Sequence, residues 1–457
     1  MLANETIRLK PALKLLVAAG LLLAPVAAAG RTPENRVSSQ IHRVTRADPA
    51  LEVFYASRNY QPLWSIESRI RPEVATVLSL LRTADLDGLD PSDYLQGGVE
   101  QAVADAASGD PGAVARAELL LSHDFAAYVR DVRRVRNVGV VYADAGLRSP
   151  PPSSQAILQR LASAPDMATY LRNISWMHSI YARLRNELAV EVTRNGSSSA
   201  ERIALLKANL DRASILPAHE DQYVLVDIAA ARLDYFENGA LKKTMRVIVG
   251  SADHPTPMMV GMIRYATLNP YWHVPPDLTR ERIAPRVLSE GLKYFRERGY
   301  EVVSEWSPSA RVIDPATIDW KAVAAGRTEI YVRQKPGPHN GMGNIKLRFP
   351  NDLGIYLHDT PGKKLFAEAQ RNYSGGCVRL EDATGLGAAL VGSSVVPQTK
   401  QPEQTIELPK PVPVYITYLT LRPARDGKVV QRKDAYGSDR ALMHRYEAHE
   451  GTAAEAT

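Results

Sequence analysis

The sequence predicts an α+β multidomain chain. An all-helical N-terminal region is followed by a mainly β domain, sandwich or barrel-like, with a partly helical insertion. Three observations predict this. From about residue 40 to 216 the apolar residues recur at helical spacing. After Pro217 the pattern changes to many short, β-branched and aromatic runs separated by Pro and Gly turns. Residues 277–328 then interrupt that rhythm with a stretch too long for an ordinary loop, which reads either as a cap over a binding site or as a structural excursion.

The chain begins MLANETIRLKPALKLLVAAGLLLAPVAAAG, with Arg8, Lys10 and Lys14 ahead of an apolar run and Ala27-Ala28-Ala29 behind it. That order of basic, apolar and small residues is the layout of a secretory signal peptide over residues 1–29. Its apolar core is shorter than the ~20 residues a membrane span needs, although a retained anchor stays open as an alternative. No later stretch is apolar enough to span a bilayer. The mature protein is therefore expected outside the cytoplasm, in the periplasm, with no stable membrane span.

In the helical half, expected as a scaffold domain at 30–165 and a helical linker at 166–219, Val74, Val77, Leu78 and Leu81 set one apolar stripe. Phe125, Tyr128, Val129, Val132 and Val135 set another, with Ser122 as a possible N-cap. The basic run VRDVRRVRN at 129–137 lies on this second helix, and its arginines fall largely off the apolar stripe. They read as a solvated face, so no nucleic-acid partner is expected. Breaks fall at GLDPSDY (88–94), LRSPPPSSQ (147–155) and RNGSSSA (194–200). The whole chain carries a formal charge of +6, or +4 without residues 1–29, which suits an anionic surface but selects none.

The β domain is expected at 220–440, before a polar tail at 441–457. QYVLVDI (222–228) and ARLDYFENGALKKTMRVIVG (231–250) open it, with Asn238-Gly239 placed as a two-residue hairpin turn. MIRYATL (262–268), EIYVRQ (329–334), IKLRF (345–349), GIYLH (354–358), VPVYITYLTL (412–421) and KVVQRKDAY (428–436) are further strand candidates.

Chemistry concentrates in NYSGGCVRLED (372–382), which holds the only cysteine among 457 residues. A single cysteine cannot close a disulfide within its chain, and in an oxidising compartment a spare thiol is a hazard. It is buried, intermolecular or reactive. Structural zinc needs several close Cys or His ligands, and neither a second cysteine nor HExxH is present, so no metal or cofactor is expected. Gly375-Gly376 lets the backbone turn tightly behind Cys377 and can aim the N–H groups of Gly376 and Cys377 at a developing oxyanion. Of ten histidines, His358 ends a strand candidate and precedes Cys377 by nineteen residues, a position from which an imidazole can face the thiol. A half-exposed surface histidine and a buried Gly-Gly-Cys corner remain open on these residues alone.

HDT (358–360) followed by SGGCVR (374–379) resembles the catalytic signature of the L,D-transpeptidases, exported cysteine enzymes acting on peptidoglycan stem peptides. MRVIVG (245–250), PTP (255–257), NPYWHVPP (269–276), RQKPGPHNGMGNIKLRFPN (333–351) and KDAYG (433–437) resemble the larger members of that family. FYASRNYQPLW (54–64) and GLDPSDY resemble their helical scaffold region. The resemblance implies Cys377 as nucleophile and His358 as general base, oriented by the main-chain carbonyl of Asp359. It also implies oxyanion amides from Gly376 and Cys377, and Arg379, Ser374, Tyr356 and Trp272 as substrate contacts. The implied reaction joins tetrapeptide donors to diaminopimelate amines in 3→3 cross-links, in a protein expected to be a monomer.

Two departures stand out. Many relatives carry His where this chain has Gly375, and the small peptidoglycan-binding module of larger members finds no clear counterpart in 166–216. The same acyl-enzyme could instead pass to water, as in a carboxypeptidase or endopeptidase, or attach or release a wall protein. A catalytically silent wall-binding scaffold is the alternative of another class.

Overall fold

The structure is a computed structural model. It describes residues 33–454 apart from 149, 195–198, 308, 394, 396–400 and 425; the expected signal segment lies outside the described residues. No described helix is long and apolar enough to cross a membrane.

Residues 33–213 are helical apart from short two-residue strands, and their apolar stripes share one core. The longest helix, Pro111–Val132, buries Leu121, Phe125, Tyr128 and Val129 at that centre. Asp110 starts it, accepting from the Ala113 N–H with Pro111 at the first helical position. The helices Ser154–Ala162, Ser179–Thr193 and Ala200–Ala213 pack onto the same core.

Two buried carboxylates pin this region. Glu118, fully buried, accepts from the Leu63 and Trp64 N–H groups, Ser65 Oγ and Tyr55 OH, which anchors the FYASRNYQPLW segment. Asp87 takes Arg185 Nε at 2.8–2.9 Å together with the Tyr128 and Tyr181 hydroxyls at 2.7 and 2.8 Å. Each carboxylate is thus surrounded by donors, the condition for tolerating a buried charge.

The β half is built on eight strands that close on themselves. They are β1 (Gln222–Asp227), β2 (Arg232–Glu237), β3 (Ala240–Gly250), β4 (Met259–Leu268), β5 (Ile345–Arg348), β6 (Leu357–His358), β7 (Val378–Leu380) and β8 (Gln404–Thr417). They pair in the order β5-β6-β7-β3-β2-β1-β8-β4, and β4 also pairs with β5, so the sheet returns to its start as a barrel. Closure leaves the barrel strands without an open edge. Val224, Val226, Leu233, Val247, Leu347, Leu357, Val378 and Leu380 fill the interior.

The alternate residues Tyr223, Leu225, Val260 and Tyr415 face outward into the helical core. With both faces covered, β1 reads as an unbroken apolar run rather than an alternating one. Val141–Tyr142, from the helical half, also pairs with β4 and ties the two halves together.

The insertion forms a small subdomain with its own core, including Leu278, Ile283, Val287, Phe295, Val302 and Trp320. Its four-stranded sheet orders the strands Val312–Ile313, Tyr300–Val303, Tyr331–Gln334 and Trp272–Val274, so it begins and ends on strands leading directly from and back to the barrel.

Candidate active site

On β5, β6 and β7 the period of two separates core from site. Ile345, Leu347, Leu357, Val378 and Leu380 point inward, so their alternates point to the outer surface under the insertion. Lys346 pairs with His358, and His358 with Arg379 in the parallel β6–β7 register. That register places Tyr356 beside Cys377, and Cys377, Arg379, Tyr356, His358 and Lys346 share one face. The Val378 N–H donates to the Tyr356 carbonyl at 3.0 Å and holds this alignment. His358 and Cys377 open on one cavity of about 110 Å³, also lined by Trp272, His273, Leu278, Arg282, Met342, Ser374, Gly375 and Arg379.

His358 is 4% exposed, and its Nδ1 lies 2.6 Å from the Asp359 carbonyl oxygen. A carbonyl only accepts, so Nδ1 carries the proton and Nε2 is left as a base. Burial, then the nearby Arg379 charge, drives the imidazole pKa down to about 3, against the Asp359 carbonyl that favours the cation. The Asp359 carboxylate does not orient the ring. It binds Lys363 at 2.7 Å and the Asn344 N–H at 2.9 Å.

Cys377 is partly buried, and its thiol donates to the Gly354 carbonyl at 3.4 Å. Burial pushes the thiol up, opposed in turn by the Tyr356 amide and the Arg379 and Lys346 charges. Lys346 is 7% exposed, and its ammonium lies 5.2 Å from the Tyr356 ring centre. Burial lowers its pKa, which the charge of Glu403 opposes.

The motifs around the thiol meet in its supporting loop. Thr256, from PTP, donates to the Gly376 carbonyl at 2.6 Å and accepts from the Gly250 N–H at 2.8 Å. Tyr436, from KDAYG, donates to the Gly250 carbonyl at 2.8 Å. Gly376 adopts φ +108°, a conformation open to glycine but strained for other residues.

Ser374, expected among the substrate contacts, lines the cavity but is 2% exposed and bonded within the loop. It donates to the Cys377 carbonyl at 2.5 Å and accepts from the Gly376 N–H at 3.1 Å. The Gly376 amide, expected at the oxyanion, is thereby engaged in its own turn. The Cys377 N–H has no acceptor among the described residues and remains directed by that turn.

Gly375 has a steric reason. A Cβ there would meet Leu278 Cδ1 at 2.9 Å and Cδ2 at 3.3 Å, so the insertion packs where relatives carry a histidine side chain. Trp272 and Tyr356 both line the cavity, as does Arg379. Sequence reasoning missed Arg282, Leu278, Lys346 and Thr256. For Lys346 a signal existed: in IKLRF the residues at 345 and 347 are apolar, and strict alternation turns 346 outward beside His358.

Comparisons with known proteins follow this geometry. Residues 49–188 match the model of the Scaffold domain, and residues 221–395 match that of the L,D-transpeptidase catalytic domain. A Haemophilus influenzae protein named as a candidate L,D-transpeptidase is 27% identical over 410 residues, covering 86% of this chain and 79% of its own. Among solved structures, the avibactam carbamoyl enzyme of Ldtfm aligns at TM-score 0.22 and 12% identity, over 45% of this chain and 51% of that one. An L,D-transpeptidase from Mycobacterium smegmatis aligns at TM-score 0.21 and 14% identity, over 43% and 58%. This chain thus spans little more than half of either solved structure, and overlaps this loose carry no argument. The two matches in tandem give the chain an L,D-transpeptidase catalytic domain at residues 221–395 and a Scaffold domain ahead of it at 49–188.

Proposed function

We propose that this protein is an exported peptidoglycan L,D-transpeptidase that forms 3→3 cross-links through a Cys377 acyl-enzyme. The observation that carries the reading is the shared face of β6 and β7. There His358, with its proton fixed on Nδ1, and the chain's sole thiol open on one cavity.

His358 Nε2 takes the thiol proton as Sγ attacks the L-centre carbonyl of the donor's diaminopimelate. The Cys377 N–H stabilises the oxyanion that forms, an interaction of the kind worth about 3 kcal/mol per donor. The Tyr356 amide and the Lys346 and Arg379 charges favour the thiolate as it develops. The imidazolium returns its proton to the departing D-Ala amine as the carbon–nitrogen bond breaks. The side-chain amine of a second stem's diaminopimelate then attacks the thioester, His358 accepts its proton, and the thiolate leaves to be reprotonated. Burial keeps His358 neutral in the resting site, so Nε2 is free to accept a proton at each of the two transfers.

Cys377→Ala is expected to abolish the acyl-enzyme mass formed with a tetrapeptide and the adduct formed with a carbapenem. Persistent labelling of that variant rejects the assignment. Muropeptide analysis after incubation with purified tetrapeptide dimers separates the acceptors, since amine attack yields 3→3 cross-links and water yields tripeptides.

A further inference from the structure

We propose that Arg379, from the strand carrying the nucleophile loop, and Arg282, from the insertion, form a two-guanidinium seat for a carboxylate of the acyl donor. The inference rests on Cys377 as the nucleophile. Both arginines line the cavity that opens on Cys377, and no Asp or Glu is among the described residues lining it.

Neither guanidinium has a carboxylate partner among the described residues. Arg379 Nε is buried without an acceptor, and the two side chains lie close enough for the charge of Arg282 to disfavour that of Arg379. The carboxylates nearest in sequence are engaged elsewhere: Asp277 and Glu281 with His254 at 3.8 and 3.0 Å, Glu381 with Arg246 at 3.0 Å, and Asp382 with Lys243 at 2.6 Å. A guanidinium nitrogen withdrawn from water without an acceptor, as Arg379 Nε is, is costly, while Arg282 stays exposed at the cavity rim. One carboxylate would satisfy both, with the fork geometry arginine offers.

Arg282 sits in Thr279–Ile283, a wide π-type turn that follows Leu278, the residue packed against Gly375. Wide turns of this kind recur at functional sites. The same contact that docks the insertion on the nucleophile loop therefore delivers the second guanidinium. Two donor carboxylates share this chemistry: that of the leaving terminal residue and that on the D-centre of diaminopimelate.

The test alkylates the full chain with iodoacetate or iodoacetamide at equal pH and low salt, followed by intact mass. The expected result is an iodoacetate-to-iodoacetamide rate ratio at Cys377 well above that of glutathione. In Arg282→Gln the ratio falls roughly tenfold, as loss of one charge-assisted contact implies. Alkylation with a glutathione-like ratio, or a ratio indifferent to Arg282→Gln, overturns the seat while leaving the nucleophile in place. Failure of both reagents to label Cys377 overturns the seat and the nucleophile together.

A second measurement compares KM for tetrapeptides amidated at either carboxylate. The amidation that removes the dependence of KM on Arg282 identifies the seated group. If neither amidation removes it, the seat is refuted.

Discussion

Neutral thiol and neutral imidazole predict a specific pH dependence for Cys377. Burial pushes the thiol up and drives the imidazole down to about 3, so both effects oppose moving the proton from sulfur to nitrogen in the resting site. Both shifts disfavour a preformed thiolate–imidazolium pair. At pH 7 the raised thiol therefore rests mainly protonated. Pseudo-first-order alkylation by iodoacetamide should therefore rise about tenfold per pH unit between pH 6 and 9, without a plateau. Lys346→Met should displace the profile to higher pH, because the Lys346 charge lowers the thiol pKa. A flat rate from pH 5 to 8 would mean a standing thiolate and would refute general-base activation at this site.

Three further outcomes follow from the same structure. His178 and His358 titrate near 4 and 3 when folded but near 6.5 when unfolded, so unfolding binds protons between those values. Their contribution is complete above pH 6.5 and falls by about 1.4 kcal/mol per residue per pH unit below it, so denaturant midpoints should drop between pH 7 and 5. Midpoints equal at those two pH values would contradict the burial of both rings. Asp87→Ala leaves Arg185 and two tyrosine hydroxyls unmatched in the helical core and should cost about 3–5 kcal/mol by chemical denaturation. Gly375→Ala should slow acylation by an amount equivalent to about 1 kcal/mol, the low end of overpacking because Leu278 Cδ1 can swing away, and Leu278→Ala should restore the rate in the same chain.

The break between a helical half and a β half was legible because each element keeps its own apolar period. The closed barrel was not legible in its order, since pairing β6 with β7 and β4 with β5 joins segments by register rather than by sequence proximity. Cys377 and His358 stood out as residue types: one thiol in the chain, and one histidine at the end of a strand. The motif position of Ser374 does not reveal that its hydroxyl is also used within the loop. Arg282 looked like one of many surface arginines, for nothing local distinguishes a guanidinium that faces a cavity from one that faces solvent.

By itself the sequence determined what side-chain period, glycine placement and residue chemistry determine. These are two structural halves, an insertion, a thiol behind a tight turn, and a base nineteen residues before it. Tertiary structure alone decided which protons and charges the site holds, because burial and the approach of distant strands set those quantities. The outward face shared by β5, β6 and β7 brings Lys346 and Arg379 to the thiol. The docking of Leu278 on Gly375 brings the insertion's arginine over it. Desolvation and long-range proximity are properties of the packed chain, and no local pattern encodes them.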